Sequence, residues 1–325
     1  MSINWGIIGA GRIARKFAED FKAVQNGKLI AIASRSKERS SEFAKAFEMP
    51  KYYDSYEAML QNKNIDIVYI ATPHNFHFEQ IKLCLNKGKS VLCEKPVTVN
   101  TAELDILIQL AKSKELFFME AMWTYYLPAI QKCVEWIQDS IIGEIKQIQV
   151  SFGFIGDLNS KLRLSDPNLA GGALLDIGIY GVALSQLIFN KPIKCIQSLA
   201  HYSDTGIDDF NSIQIQYENG GISQISSSFL SNLKNEAIIY GTKGKIEIPN
   251  FWMAKKARLI SKNKNIEFCD DSPQFGYHHE IIAINELLKN GALESSVVPL
   301  EKSRNTLLIL DEIRRQIKLK YPFEK

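Results

Sequence analysis

The chain has 325 residues, 46% of them apolar and 23% charged, a globular make-up that excludes a low-complexity or largely disordered protein. A single core usually stops growing near ~250–300 residues, so two domains are expected. A net charge of +3 is too small to draw the chain to nucleic acid or to an acidic membrane surface.

Five cysteines (Cys84, Cys93, Cys133, Cys195 and Cys269) are scattered and never spaced as CxxC. That is the pattern of reduced thiols in a cytoplasmic protein, and no metal site is expected from it. The first strand begins at once, so no signal peptide is expected. No run is read as reaching the ~20 apolar residues of a membrane helix.

Ile3 to Ile8 is an apolar run that stops at glycine, and Ile13, Ala14, Phe17, Ala18 and Phe21 share one helical face beyond it. Between them stands Gly9-Ala10-Gly11-Arg12-Ile13-Ala14. This is the dinucleotide-binding fingerprint G-x-G-x-x-A in its strand–turn–helix setting. Gly9 makes the turn, Gly11 lets the backbone approach a pyrophosphate, and small Ala14 lets the helix lie close to the strand. The anion is expected at the helix N-terminus, against the N–H groups of Arg12 and Ile13.

Lys28 to Ser34 reads as a second buried strand, and its end bears on the cofactor. A site for NAD usually places Asp or Glu there for the ribose 2′-hydroxyl, whereas a site for NADP offers Arg. Here Ser34-Arg35-Ser36 stands, with Lys37 and Arg39 close behind. The plain alternative is a solvated basic helix start. Position at the strand tip favours phosphate binding, and hence NADP over NAD.

Ile65 to Ile70 reads as another buried strand, entering Thr72-Pro73-His74-Asn75-Phe76-His77 at the carboxyl edge of the sheet, where ligands bind. His74 and His77 are each placed either to contact ligand or to cap the chain. Ser90 to Cys93 is a short strand that runs into Glu94-Lys95-Pro96. A lysine is ordinarily a surface residue, but one held between glutamate and proline at the ligand edge is unusual. Asn100 to Glu103 carries a helix N-cap with glutamate at its third position. Phe117 to Glu120 is the last strand of this half. Residues 1–122 are thus expected to form a Rossmann-type, doubly wound parallel sheet that binds a dinucleotide.

Beyond residue 122 the pattern changes. A helix follows Pro128, and Ile148, Val150, Phe152 and Phe154 then alternate with polar neighbours, as on a half-buried antiparallel strand. Further short strands are read at 194–202, 210–217, 221–229, 237–240, 245–248 and 257–260, with turns at Gly220-Gly221 and Gly241 to Gly244. One apolar helix, Ala173 to Phe189, interrupts them, and helices near 279–289 and 301–319 end the chain. Residues 123–325 are thus expected to be an α+β substrate-binding and dimerisation domain with an open, mainly antiparallel sheet. Helices suffice for one sheet face. The other is expected to be apolar and to be covered in a homodimer.

Inside the apolar helix, Asp176 and Tyr180 stand one turn apart on one face, behind Gly171-Gly172. A buried carboxylate is costly unless paired. The two are read either as core polar groups satisfied locally or as site residues with Lys95.

The glycine loop, Cys93-Glu94-Lys95-Pro96, Met119 to Thr124 and Gly171 to Tyr180 with its Asp176-x-x-x-Tyr180 spacing together resemble the glucose–fructose oxidoreductase / inositol dehydrogenase (Gfo/Idh/MocA) family, over nearly the whole chain. Asp208-Asp209 and Gly241-Thr242-Lys243-Gly244 also resemble it, and Tyr180, where the cyclitol branch carries histidine, points to the NADP-dependent dihydrodiol and aldose dehydrogenase branch. The resemblance implies Lys95 and Tyr180 as the acid/base pair and Trp123 and Phe152 as walls of an aromatic substrate pocket. It implies a secondary alcohol of a sugar, polyol or cyclic diol as substrate. A free phenol titrates near pH ~10, and a neighbouring ammonium lowers that value. Asp176 is read as orienting Lys95 or a substrate hydroxyl. Two alternatives share the fold: an NAD-dependent glycosidase and a non-enzymatic NADP sensor.

Overall fold

The computed structural model describes residues 2–158 and 162–324, and these form two compact units. The first is Met1–Tyr126 with Pro273–Arg304; the second is Leu127–Ser272 with Asn305–Lys325.

The first unit holds six parallel strands: β1 (Ile3–Ile8), β2 (Gly27–Ala33), β3 (Lys51–Tyr53), β4 (Ile67–Ile70), β5 (Ser90–Glu94) and β6 (Phe118–Ala121). Their order, β3-β2-β1-β4-β5-β6, is that of the Rossmann fold, and every pairing is parallel. Residues of β4, β5 and β6 are all buried, as continuous apolar runs in a sheet covered on both faces require. The helices α1 (Arg12–Phe21), α2 (Lys37–Ala46), α3 (Tyr56–Leu60), α4 (His77–Asn86) and α5 (Thr101–Ser113) alternate with them. Strand order reverses between β1 and β4, and the glycine loop leaves β1 at that switch point, the usual place for a dinucleotide.

A two-block division at residue 122 does not include the return of residues 273–304 to this unit. Distant residues hold that return in place. Asp20, 1% exposed, accepts the backbone N–H groups of Phe275, Gly276 and Tyr277 at 2.7, 2.7 and 2.8 Å. Trp5 Nε1 donates to Asn285 Oδ1 at 2.8 Å within the core.

The second unit opens with α6 (Pro128–Gln138) and holds β7 (Ile145–Gly153), then α7 (Ile179–Phe189), then β8 (Ile193–Tyr202), β9 (Asp208–Tyr217), β10 (Ile222–Ser228), β11 (Glu236–Gly241), β12 (Gly244–Pro249), β13 (Lys256–Ser261) and β14 (Asn265–Cys269). The sheet order is β14-β13-β12-β11-β7-β10-β9-β8; β7 and β10 pair in parallel and the other neighbours are antiparallel. Helix α8 (Tyr277–Lys289) belongs to the first unit, and α9 (Leu300–Gln316) passes from the first into the second at Asn305.

α6 packs against β13 and β14, and α7 against β7 and β10. Val150, Ile213, Ile225, Ile239, Ile246 and Leu259 form the buried face. The opposite face is not the apolar one that the strand pattern suggested. It carries Gln147, Gln149, Gln214, Gln224, Ser151 and Ser226 with only Ile222 and Ile238 of the β10 and β11 isoleucines, because most isoleucines and valines of the central strands occupy the alternate, helix-covered positions. Gln147 and Gln149 both donate to Gln224 Oε1, at 2.9 and 3.1 Å.

One stretch also exceeds the expected apolar length. Pro167–Phe189 spans 23 residues with mean hydropathy 1.6 in its most apolar window, enough by length and composition to cross a membrane, yet 83% of that window is buried within the fold. It is hydrophobic all round because it is a core element, not an amphipathic one.

Candidate active site

In the first unit the glycine loop fits a dinucleotide. Gly9 sits at φ +101°, and a Cβ there would lie 2.8 Å from the Ala71 carbonyl oxygen. Only glycine meets both demands. At Gly11 the nearest atom to a Cβ position is 3.9 Å away, so its backbone lies open to a ligand. No side chain caps α1, and the N–H groups of its first turn, including those of exposed Arg12 and half-buried Ile13, face the loop's open end. Ala14 is fully buried.

At the tip of β2, Ser34 is buried, and its hydroxyl donates to the Ser36 carbonyl at 2.6 Å. Arg35 is exposed, its guanidinium 5.4 Å from the centre of the Phe76 ring. Arg39, placed by the Ser36 cap of α2, donates to the Ala10 carbonyl at 3.2 Å. Arg39 thus reaches the glycine loop while Arg35 stands at the strand tip over Phe76, and no acid follows Ala33 there before Glu38. Arg39 was seen in the sequence only as nearby charge. Its reach back to the loop depends on how α2 packs.

The β4 and β5 loops are tied together. His77 is fully buried, with Nδ1 2.8 Å from the Pro96 carbonyl oxygen and Nε2 2.9 Å from that of Thr72. Thr72 Oγ1 donates to Gln80 Oε1 at 2.6 Å. His74 is 5% exposed, its ring 5.8 Å from that of His77. Pro73 starts this loop, and the buried Asn75 Oδ1 has no partner among the described residues, the kind of orphan that a bound ligand satisfies.

Lys95 is 9% exposed at the end of β5, ahead of a cis bond to Pro96. Two buried acids, Glu94 and Glu120, lie beside it, and a third, Glu280, lies near Glu94. Glu94 accepts the Tyr69 hydroxyl at 2.5 Å and the Lys95 amide at 3.3 Å. Glu120 accepts the Val97 amide at 3.0 Å; burial raises its carboxyl pKa, and the Lys95 charge partly opposes this. Glu280 on α8 is fully buried, and burial followed by the neighbouring Glu94 charge holds its carboxyl well above the usual range. Trp123 is 4% exposed and stacks on Tyr277 at 4.4 Å between ring centres.

In the second unit, Leu174–Gly178 forms a single widened turn with i→i+5 geometry ahead of α7. Such turns recur at functional sites. Asp176 lies in this turn, and its Oδ1 accepts Arg163 Nη2 at 2.9 Å. Tyr180, 7% exposed, follows in the first turn of α7. Phe152 lies 6.2 Å from the Tyr180 ring and stacks on Trp252 at 3.7 Å. Arg163 and Trp252 went unnoticed in the sequence, since neither shares a helix or strand period with Asp176 or Phe152. Each unit thus carries part of the expected residue set: Lys95 and Trp123 in the first, Asp176, Tyr180 and Phe152 in the second.

Residues 3–122 match a family described as an oxidoreductase family with an NAD-binding Rossmann fold, and residues 130–247 match the GFO/IDH/MocA C-terminal domain. The chain is 36% identical to trans-1,2-dihydrobenzene-1,2-diol dehydrogenase of Mus musculus over 339 aligned positions, and 33% identical to that of Homo sapiens over 338, with 100% of both chains covered in each case. Among solved structures it is similar to an aldose-aldose oxidoreductase from Caulobacter crescentus complexed with glycerol, with TM-score 0.89 at 20% identity. It is also similar to KijD10, a 3-ketoreductase from Actinomadura kijaniata in complex with NADP and TDP-benzene, with TM-score 0.88 at 22% identity. Both alignments cover 98% of each chain. The matches define the class, an NAD(P)-dependent dehydrogenase. The chain belongs to the Gfo/Idh/MocA family.

Proposed function

We propose that the chain uses NADP to oxidise, or NADPH to form, a secondary alcohol of a sugar or cyclic diol, with Tyr180 and Lys95 as the acid/base pair. The observation that carries this reading is that both protonatable groups picked out by the resemblance are more than nine-tenths buried, Lys95 at 9% and Tyr180 at 7% exposure. A lysine held on the surface for solubility has no need of such burial.

The nicotinamide, when bound, supplies the hydride acceptor or donor. The chain's own groups do the rest. Gly9, Gly11, Arg12 and Ile13 hold the pyrophosphate; Ser34, Arg35 and Arg39 hold the 2′-phosphate. Thr72, Pro73, His74, Asn75, His77, Glu94, Lys95 and Pro96 form the wall along the nicotinamide half. Tyr180 takes the carbinol proton in oxidation and returns it in reduction. The Lys95 ammonium favours the phenolate and hydrogen-bonds the reacting oxygen. Asp176, fixed by Arg163, orients Lys95 or a substrate hydroxyl. Trp123, Phe152 and Trp252 offer aromatic faces to a ring or to the apolar side of a sugar. A panel of aldoses, trans-dihydrodiols and dicarbonyls, each with NADP and with NAD and read by nicotinamide absorbance, tests the reading. Binding of NADPH with no turnover of any of them would favour a sensor. Glycoside cleavage without release of NADPH would favour a glycosidase.

The cofactor preference gives a separate expectation. Charged hydrogen bonds contribute about 1.5–3 kcal/mol, roughly ten- to a hundredfold in affinity. Arg35→Ala and Arg39→Ala are each expected to weaken NADPH on that scale while NADH binding hardly changes. Titration calorimetry that finds equal losses for both cofactors would remove the phosphate-binding role.

The homodimer is proposed on a changed footing. The open face centred on β7 and β10 is a field of Gln and Ser with Ile222, Ile238 and Tyr240, while charge gathers toward β12–β14 at Lys245, Glu247, Arg258 and Glu267. An uncharged centre with a charged rim is the anatomy of a subunit interface, polar enough to remain soluble when open. Light scattering is expected to give twice the chain mass, and Gln224→Arg, which sets like charges across a two-fold axis, to give the monomer mass. A monomeric wild type at micromolar concentration rules the proposal out.

A further inference from the structure

The Asp208-Asp209 pair has no part in the chemistry proposed above, yet Asp208 is fully buried beneath the turn that carries Asp176. Its Oδ2 accepts the Leu174 backbone N–H at 2.6 Å and Asn211 Nδ2 at 2.6 Å. Asn211 Oδ1 in turn accepts the Ser227 hydroxyl at 2.6 Å, and Ser227 Oγ lies 3.0 Å from where a Cβ on Gly178 would stand. Asp208 Oδ1 lies only 2.1 Å from the Cβ position of Gly172, so glycine is required for the carboxylate to sit there. The Tyr321 hydroxyl donates to the Gly171 carbonyl at 2.9 Å and holds the entry to the turn from the other side.

A helix that starts in a widened turn lacks the usual side-chain cap, and none is present at Ala173 or Gly178. The first N–H of the turn is instead satisfied by a carboxyl oxygen from β9, Oδ2 of Asp208, which accepts that bond whether or not the other oxygen holds a proton. Removing it leaves both the Leu174 amide and the direction of α7 undetermined, and Tyr180 is the second residue of α7.

We propose that Asp208 is a positioning residue for Tyr180: through Leu174 and Asn211 it fixes the widened turn, and the turn sets where α7 holds the phenol. The proposal rests on Tyr180 being the proton-transfer group, as read above. Misplacing a reacting group by about 1 Å costs roughly a hundredfold in rate, so a small rotation of the turn is enough to be seen.

The test uses trans-1,2-dihydrobenzene-1,2-diol with NADP, read by absorbance, together with amide hydrogen exchange across residues 172–180. Asp208→Ala is expected to lower kcat about tenfold or more, the scale of buried donors left without their acceptor, with KM and NADPH affinity nearly unchanged. Asp208→Asn keeps an oxygen for Leu174 and Asn211 and is expected to restore kcat to within about threefold of wild type, as one neutral hydrogen bond would. Asn211→Ala unfastens the carboxylate without removing it. It should show the same kcat-only loss at smaller size, and it carries the test if Asp208→Ala does not fold. Exchange at Leu174 to Tyr180 should quicken in Asp208→Ala and not in Asp208→Asn. Unchanged kcat in a folded Asp208→Ala, an Asp208→Asn no better than Ala, or unchanged exchange around Tyr180 would overturn the proposal. Should wild type turn over no diol, kcat is read with whichever aldose of the panel it does turn over; a wild type that turns over none of the panel tells against the functional reading instead, and the exchange result then decides whether Asp208 fixes the turn.

Discussion

Tyr180→Phe is expected to lower kcat by about 10²–10⁴-fold, the range a general acid–base group supplies, while the fold and NADPH binding survive. The substitution removes only a hydroxyl from a ring that packs 6.2 Å from Phe152, so the aromatic contacts remain. On the proposed roles, Lys95→Ala should lose at least as much, because it would remove both the charge proposed to favour the phenolate and the proposed bond to the reacting oxygen. The two losses should not add in the double variant, since groups acting as a unit are non-additive. In the oxidative direction kcat should rise with pH as the phenolate forms, and Lys95→Met should move that rise to higher pH. Should Tyr180→Phe keep near-normal kcat and an unchanged pH profile, the proton passes elsewhere, through Lys95 or one of the loop histidines, His74 and His77.

How far such residues can be read from the chain depends on how local their reasons are. Gly9 was legible because its backbone angle and its contact with Ala71 follow from a strand turning into a helix within a few residues. The Asn100 cap was legible for the same reason; its Oδ1 accepts the Glu103 amide at 3.0 Å. Strand β3 is three residues long and β14 is mostly exposed, so neither has enough apolar alternation to be seen. The open sheet face was misread because a run of alternating isoleucines shows that one face is buried and says nothing of what fills the other. Arg163 reaches Asp176 from a loop, and loops carry no period. Asp20 looks like an ordinary acid of an amphipathic helix; only the return of residues 273–304, more than 250 positions later, buries it.

Glu280 is the strongest case of this kind and carries the other large expected effect. In sequence it is a glutamate beside two histidines in a terminal helix. In the fold it is fully buried, and neither carboxyl oxygen has a partner among the described residues. Glu94 stands near it and is already committed as an acceptor, to the Tyr69 hydroxyl and the Lys95 amide. Two carboxylates in one dry site disfavour ionising together, and Glu280, whose oxygens accept no hydrogen bond among the described residues, is the one expected to keep its proton. Its carboxyl pKa is raised, by burial first and by Glu94 second. The sign follows from that direction. The folded state holds a proton that the unfolded chain gives up near pH ~4.3. The stability linked to Glu280 is therefore complete below that pH and falls as pH climbs toward the folded-state value, by up to ~1.4 kcal/mol per pH unit. Glu280→Gln has the same shape and no proton to lose. It is expected to be closest to wild type below about pH 4 and to become progressively more stable than wild type from there to pH 8. The gap in melting temperature should widen by roughly 2–4 °C for each kcal/mol. Because other buried acids titrate in both proteins, the difference between the two curves is the measurement, not either curve alone. Asp208, whose carboxyl is pushed up to about 7 by burial, contributes equally to both and cancels. Melting curves of the two proteins that run parallel from pH 5 to pH 8 would show that Glu280 is ionised in the fold.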